Sequence, residues 1–252
     1  MFGGSEAAYT AAMAAVATQV ERFEGFSDEA IQFFLELQSE QSRTWFKAHQ
    51  ADFLRLCRRP LERFIEELRD RVTPVYPRIV EAEPHYFRIQ RDTRFGRDKT
   101  PYKTNISADV AIRPRGEDEN EHGIPGLYFS WGLEGEYLGI GAWHMSPAVL
   151  ARYRAVLDNS KRGAEVQRMV DQLVAQGCTI EAMEKLKRVP SPYPQDHPRA
   201  ELLKHKGFAV MAQPTENVSG SRLLLDWAEA QLRAAAPLMH LLDKALTEPA
   251  AS

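Results

Sequence analysis

Cysteine is scarce in this chain. Cys57 and Cys178 are the two present among 252 residues, far apart and without CxxC or Cys/His spacing. That argues against a disulfide framework and a zinc site, and reduced thiols suit a cytoplasmic protein. Both are expected to be small buried hydrophobes. Long apolar runs are missing too. No stretch approaches the roughly 20 residues of a membrane helix, which predicts a soluble chain with no membrane partner. An Ala-rich start at 7–20 lacks a basic leader, with Glu6 in its place, and reads as an accessory helix or tail rather than a signal peptide. Nor is charge of one sign in excess. The formal net charge is −3, so any anion binding must come from a local patch.

What is present is an ordinary globular mix, 44% hydrophobic and 27% charged. Ser27 and Asp28 open a helix in which Ile31, Phe34, Leu35 and Gln38 follow the helical period. From 44 to 72, Phe46, Phe53, Cys57, Leu61, Phe64, Ile65, Leu68 and Val72 form one stripe. Pro60 either kinks this helix or starts a second one, and Pro74 and Pro77 end it. Residues 85–92 alternate as a strand, with Phe87 and Ile89 on one face. A second strand carries Ile106, Ala108, Val110 and Ile112. GEDENEHG (116–123) reads as an acidic surface loop.

GLYFSWGLEGEYLGIGAW (126–143) reads as a hairpin with a two-residue Glu134-Gly135 loop. That register pairs Leu133 with Glu136, Trp131 with Leu138, Phe129 with Ile140 and Leu127 with Ala142. One face is then apolar. The other carries Tyr128, Ser130, Gly132, Tyr137, Gly139, Gly141 and Trp143, and its glycines permit close approach by a ligand or another backbone. Ser146-Pro147 starts a helix toward Asn159. Another covers about 164–176, a short strand 208–211, and a last helix 223–246. The order predicts an α+β fold with a mainly antiparallel sheet of about four to five strands, packed by N- and C-terminal helices. The domain plan is an extension at 1–22, one domain at 23–246 and a tail at 247–252.

The densest chemistry lies between two strands. Arg88, Arg91, Arg94, Arg97, Lys99 and Lys103 fall within 88–103, opposed by Asp92 and Asp98 alone. Arginine forks match phosphate or carboxylate with two bonds. Thr93, Thr100, Tyr102 and Thr104 add neutral donors, and Tyr102 or Phe95 can stack on a base or sugar. Arg and Asp in such a run also pair with each other and simply hold a loop in shape. Neither GxxxxGK[ST] nor GxGxxG is present in this window, so no cofactor is named. Trp143 and His144 are candidates to line the same site. Asp92, Asp98 and Asp109 match no metal-ligand spacing. Ser146 is explained as a helix cap.

RIQRDTRFGRDKTPYKTN (88–105) resembles the signature of an uncharacterised family of conserved hypothetical proteins, domain of unknown function 2461. GFSDEAIQFFLELQ, RTWFKAHQADF, the GIGAW strand with the helix after Pro147, and LKRVPSPYPQDHPRAELLKHKGF also match, over roughly 23–242. Gly96 and Arg97 replace the commoner Ser-Lys. The resemblance implies a single soluble domain and carries no catalytic residues.

Three functions are therefore expected. The first is binding of an anionic small molecule or nucleotide through Arg88, Arg91, Arg94, Arg97, Lys99, Tyr102 and Lys103, with Trp143 and His144 nearby. The second is phosphoester or nucleotide chemistry, which needs carboxylates such as Asp92 and Asp109 to converge with the arginines. The third is a module that docks an acidic partner by the basic loop. Nucleic-acid binding is a version of the first or third, marked by steep salt dependence.

Overall fold

The computed structural model describes residues 22–94, 99–114 and 123–247. The N-terminal extension up to residue 21, Arg97, Asp98 and nearly all of the acidic stretch lie outside the described residues. Helix α1 spans Asp28–Ser39, with the Ser27 hydroxyl accepting from the Ala30 N–H at 3.3 Å. Its buried side chains are Ala30, Phe33, Phe34 and Leu37, whereas Leu35 is exposed. The apolar face thus sits to one side of the stripe expected from Ile31 and Leu35. Helix α2, Arg43–Ala48, is capped by Ser42.

The expected helix at 44–72 is broken into pieces. Helix α3 (Gln50–Phe53) runs into a π-helical turn, Leu54–Arg58, and then α4, Arg59–Val72. Pro60 occupies the first turn of α4, where its missing N–H costs nothing. The Arg59 N–H reaches back to the Leu54 carbonyl, and this wide turn accommodates the proline. Cys57, Leu61, Phe64, Ile65, Leu68 and Val72 are buried as the stripe predicted.

Six antiparallel strands follow: β1 His85–Tyr86, β2 Asn105–Ala111, β3 Gly126–Gly132, β4 Gly135–Ala142, β5 Thr179–Glu181 and β6 Phe208–Ala212. Their order is β1-β2-β3-β4-β6-β5. With the helices they make an α+β fold, one strand beyond the upper expected count. The additional strand, β5, is only three residues long. Helix α5 is Pro147–Asp158, α6 Ser160–Ala175, α7 Ala200–Leu203 and α8 Leu223–Thr247.

The hairpin register differs from expectation. Gly132 pairs with Gly135, Trp131 with Glu136, Phe129 with Leu138 and Leu127 with Ile140. The turn is Leu133-Glu134, and neither residue takes positive φ, whereas Gly135 has φ +97°. A Glu134-Gly135 turn of the mirror-image kind needs positive φ at both residues, which Glu134 disfavours. The glycine instead closes the turn from the first position of β4. The shift moves each partner by two residues, so both faces keep their composition.

The apolar face is packed by helices. Phe26 stacks on Trp131 at 4.1 Å, Phe64 meets Phe129 at 4.3 Å, and Phe34 meets Trp131 at 5.9 Å. Such ring pairs contribute about 0.5–1.5 kcal/mol each beyond their burial. Leu232 of α8 lies against Leu138, Ile140 and Val210 on the same face.

Candidate functional site

The expected strand at 85–92 is regular only at His85–Tyr86. The pairing resumes at a single Gln90–Tyr102 bridge. Between Tyr86–Ala108 and that bridge, one side advances four residues and the other six. The two extra residues form a bulge, because the Thr104 carbonyl turns away to accept from the Leu133 N–H at 3.1 Å. Beyond it, Arg91 N–H to Pro101 O (2.8 Å) and Lys103 N–H to Ile89 O (2.9 Å) hold a short arm. Tyr102 fixes that arm to the helices. Its ring is buried and stacks on Phe46 at 4.5 Å, and its N–H donates to Gln41 Oε1 at 3.0 Å.

This geometry sorts the expected site residues. Tyr102 packs into the core. Arg94 folds back on Asp92, with Nη2–Oδ2 at 2.8 Å and Nε–Oδ1 at 3.0 Å. That bond and the Arg94 N–H hold the Asp92 carboxyl well below the usual carboxylate range. Lys99 donates to the Thr93 carbonyl at 2.7 Å and braces the loop. Arg88, Arg91 and Lys103 remain together. Burial, then Arg91 and Arg88, lower the Lys103 pKa below its ordinary value. Trp143 and His144 do not join them. They follow the far end of β4, whose Gly135 end is level with Asn105 through Gly132. Seven strand steps separate the two ends, roughly 20 Å or more. Near His144 lies Glu184, which pairs with Lys206.

The register defines what lies beside the cations on the sheet face away from the helices. One row reads His85–Asp109–Tyr128–Gly139–Met211–Thr179. The next contains Ser107–Ser130–Tyr137, and the Phe87 N–H donates to the Ser107 carbonyl. Phe87 sits at the junction of cations and rows. Lys103 Nζ lies 5.7 Å from its ring centre, the His85 ring 4.5 Å and the Tyr128 ring 6.1 Å away. His85 Nδ1 is 3.3 Å from Asp109 Oδ1, and their side chains are 65% and 46% exposed. Asn105 donates to the Ser130 hydroxyl at 2.8 Å. The Gly/aromatic face was legible in the sequence. The His85–Asp109 pair was not, because the two residues meet only through strand pairing across the whole basic loop.

Asp92 and Asp109 are each engaged, by Arg94 and His85 respectively, so the two-carboxylate arrangement for metal chemistry finds no support. Among the described residues no group of three or more His, Cys, Asp or Glu is assembled to hold a metal ion. A surface groove of about 500 Å³ runs along α6 to Pro198 and Arg199. Another of about 260 Å³ lies between Gln176–Cys178 and the stretch 212–218 beside Trp227 and Gln231. Neither contains a residue of the basic arm.

Fold and site together define an α+β protein with one face of an antiparallel sheet sealed by helices and the other bearing a cationic arm and aromatic rows. The chain belongs to the family of conserved hypothetical proteins DUF2461, whose profile matches residues 29–241. No curated protein matches it. Among the described residues no helix is long and apolar enough to cross a membrane.

Proposed function

We propose that the chain binds a phosphate- or carboxylate-bearing small molecule on the open sheet face, with Arg88, Arg91 and Lys103 as its anion clamp. The observation that carries this reading is the state of Lys103. It is partly buried, the neighbouring charges that perturb it are both positive, and among the described residues no carboxylate pairs with it. An anion beside Lys103 relieves its repulsion by Arg91 and Arg88 and gives its ammonium a counter-charge. The free, buried thiols of Cys57 and Cys178 favour a reducing compartment, and we place the protein in the cytoplasm. A second reading, docking of an acidic protein partner by the basic arm, is favoured by the exposure of Arg88 and of His85 near it.

Isothermal titration with inorganic phosphate and citrate tests the clamp. Lys103→Met and Arg88→Ala are expected to weaken binding about tenfold or more, the loss of one charge-assisted contact. Arg94→Ala, whose guanidinium is turned onto Asp92, should stay within about twofold of wild type. Equal losses in all three variants, or no binding by wild type, would sink the reading.

A further inference from the structure

The cations occupy only one end of the open face. A polymer lying along the rows would carry phosphates across its whole length, past Asp109 and the outer Glu181. The face therefore suits a ligand whose negative charge is confined to one end. What lies next to the cations is aromatic. The Phe87 ring has Lys103 Nζ at 5.7 Å and the Tyr128 ring at 6.1 Å in an edge-to-face arrangement, with interplanar angle 72°. Beyond Tyr128 the row falls to Gly139, where an added Cβ would meet the Met211 sulfur at 2.6 Å. Tyr137 stands in the neighbouring row across Ser130. Two half-buried tyrosines thus bound a low strip beside Phe87, its floor the Met211 side chain lying over Gly139. Such a strip accepts a flat ring, because base–aromatic stacking needs a π-face and no particular hydrogen-bond pattern.

Resting on the anion clamp proposed above, we infer that the ligand of the open face is a mononucleotide-like aromatic anion, its phosphate held by Lys103, Arg91 and Arg88 and its ring lying against Tyr128. Lys103 and Tyr128 both lie against the one Phe87 ring, at 5.7 and 6.1 Å, and a nucleoside monophosphate likewise carries its phosphate and base on one sugar. It also assigns a role to the glycines of β4. A side chain at Gly139 would displace Met211 and fill the strip.

The test compares AMP, ribose 5-phosphate and inorganic phosphate by titration calorimetry on wild type and Tyr128→Leu, with circular dichroism to confirm the fold. Wild type should bind AMP about tenfold or more tightly than ribose 5-phosphate, the gain of one stacked base. Tyr128→Leu should remove that gain and leave binding of the two base-free probes, ribose 5-phosphate and inorganic phosphate, unchanged. An AMP advantage that is absent, or that survives in Tyr128→Leu, overturns the inference while the anion clamp stands. Failure of all three probes to bind wild type overturns the clamp itself. If the variant does not fold, saturation transfer on wild type decides. Transfer from tyrosine ring protons to the base protons of AMP supports the inference, and its absence with bound AMP refutes it.

Discussion

Removing the charge of Lys103 should make the unliganded protein more stable, not less. Lys103→Met keeps most of the stem over Phe87 and deletes the ammonium. Arg91 and Arg88 both act on Lys103, and two like charges about 5–10 Å apart in water-like surroundings repel by roughly 0.4–0.8 kcal/mol. Loss of the weak cation–π contact with Phe87 costs about 0.5 kcal/mol. Salt screening trims the repulsion, and relief of partial burial adds to the gain. The net expectation is about 0.5–1 kcal/mol, or roughly 1–4 °C in melting temperature for a domain of this size. Urea unfolding at low and high salt checks it, since the gain must shrink as salt rises.

The pH dependence has a fixed sign. The folded pKa of Lys103 lies below 10.5, so the unfolded chain binds more protons between that value and 10.5. Wild-type stability therefore rises relative to the variant through this window, and the gap closes toward 10.5. A variant less stable than wild type by about 1 kcal/mol or more, or a gap indifferent to salt, would refute the argument and recast Lys103 as a structural residue.

Two further outcomes follow from backbone and burial. Gly141→Ala should cost at least about 2 kcal/mol in urea unfolding, because φ is +152° and a Cβ would lie 2.1 Å from the Phe208 carbonyl oxygen. A near-neutral result would mean that β4 and β6 part easily at that point. Cys57 and Cys178 should both resist a disulfide reagent in the native protein and both react in denaturant. Both are buried, and burial pushes the Cys57 thiol up to about 12. Native reactivity would show that the core opens locally.

Local signals were legible where local physics decides. Ser27 and Ser146 cap helices as their sequence positions foretold, and Pro60 sits at the start of α4. Face composition survived a wrong register, because the pairing slipped by an even number and parity was conserved. What failed was long-range. The bulge between Lys103 and Ser107 depends on β3 claiming the Thr104 carbonyl, and that competition is invisible in the strand itself. The basic loop was found as a cluster, but the sequence did not say which cation turns inward. Arg94 and Arg88 look alike on the page, and only a carboxylate two residues from Arg94, held in the right geometry, separates them. Trp143 and His144 share the hairpin with Tyr128, yet the strand carries them to its opposite end.

The sheet's rims have a consequence for how the molecule lives in a crowded solution. Its outer strands, β1 and β5, are two and three residues long. A short rim gives an arriving strand too few unpaired amides to extend the ladder, so edge-to-edge growth finds no template at either side. Copies of this chain that meet sheet to sheet must therefore do so through the open face.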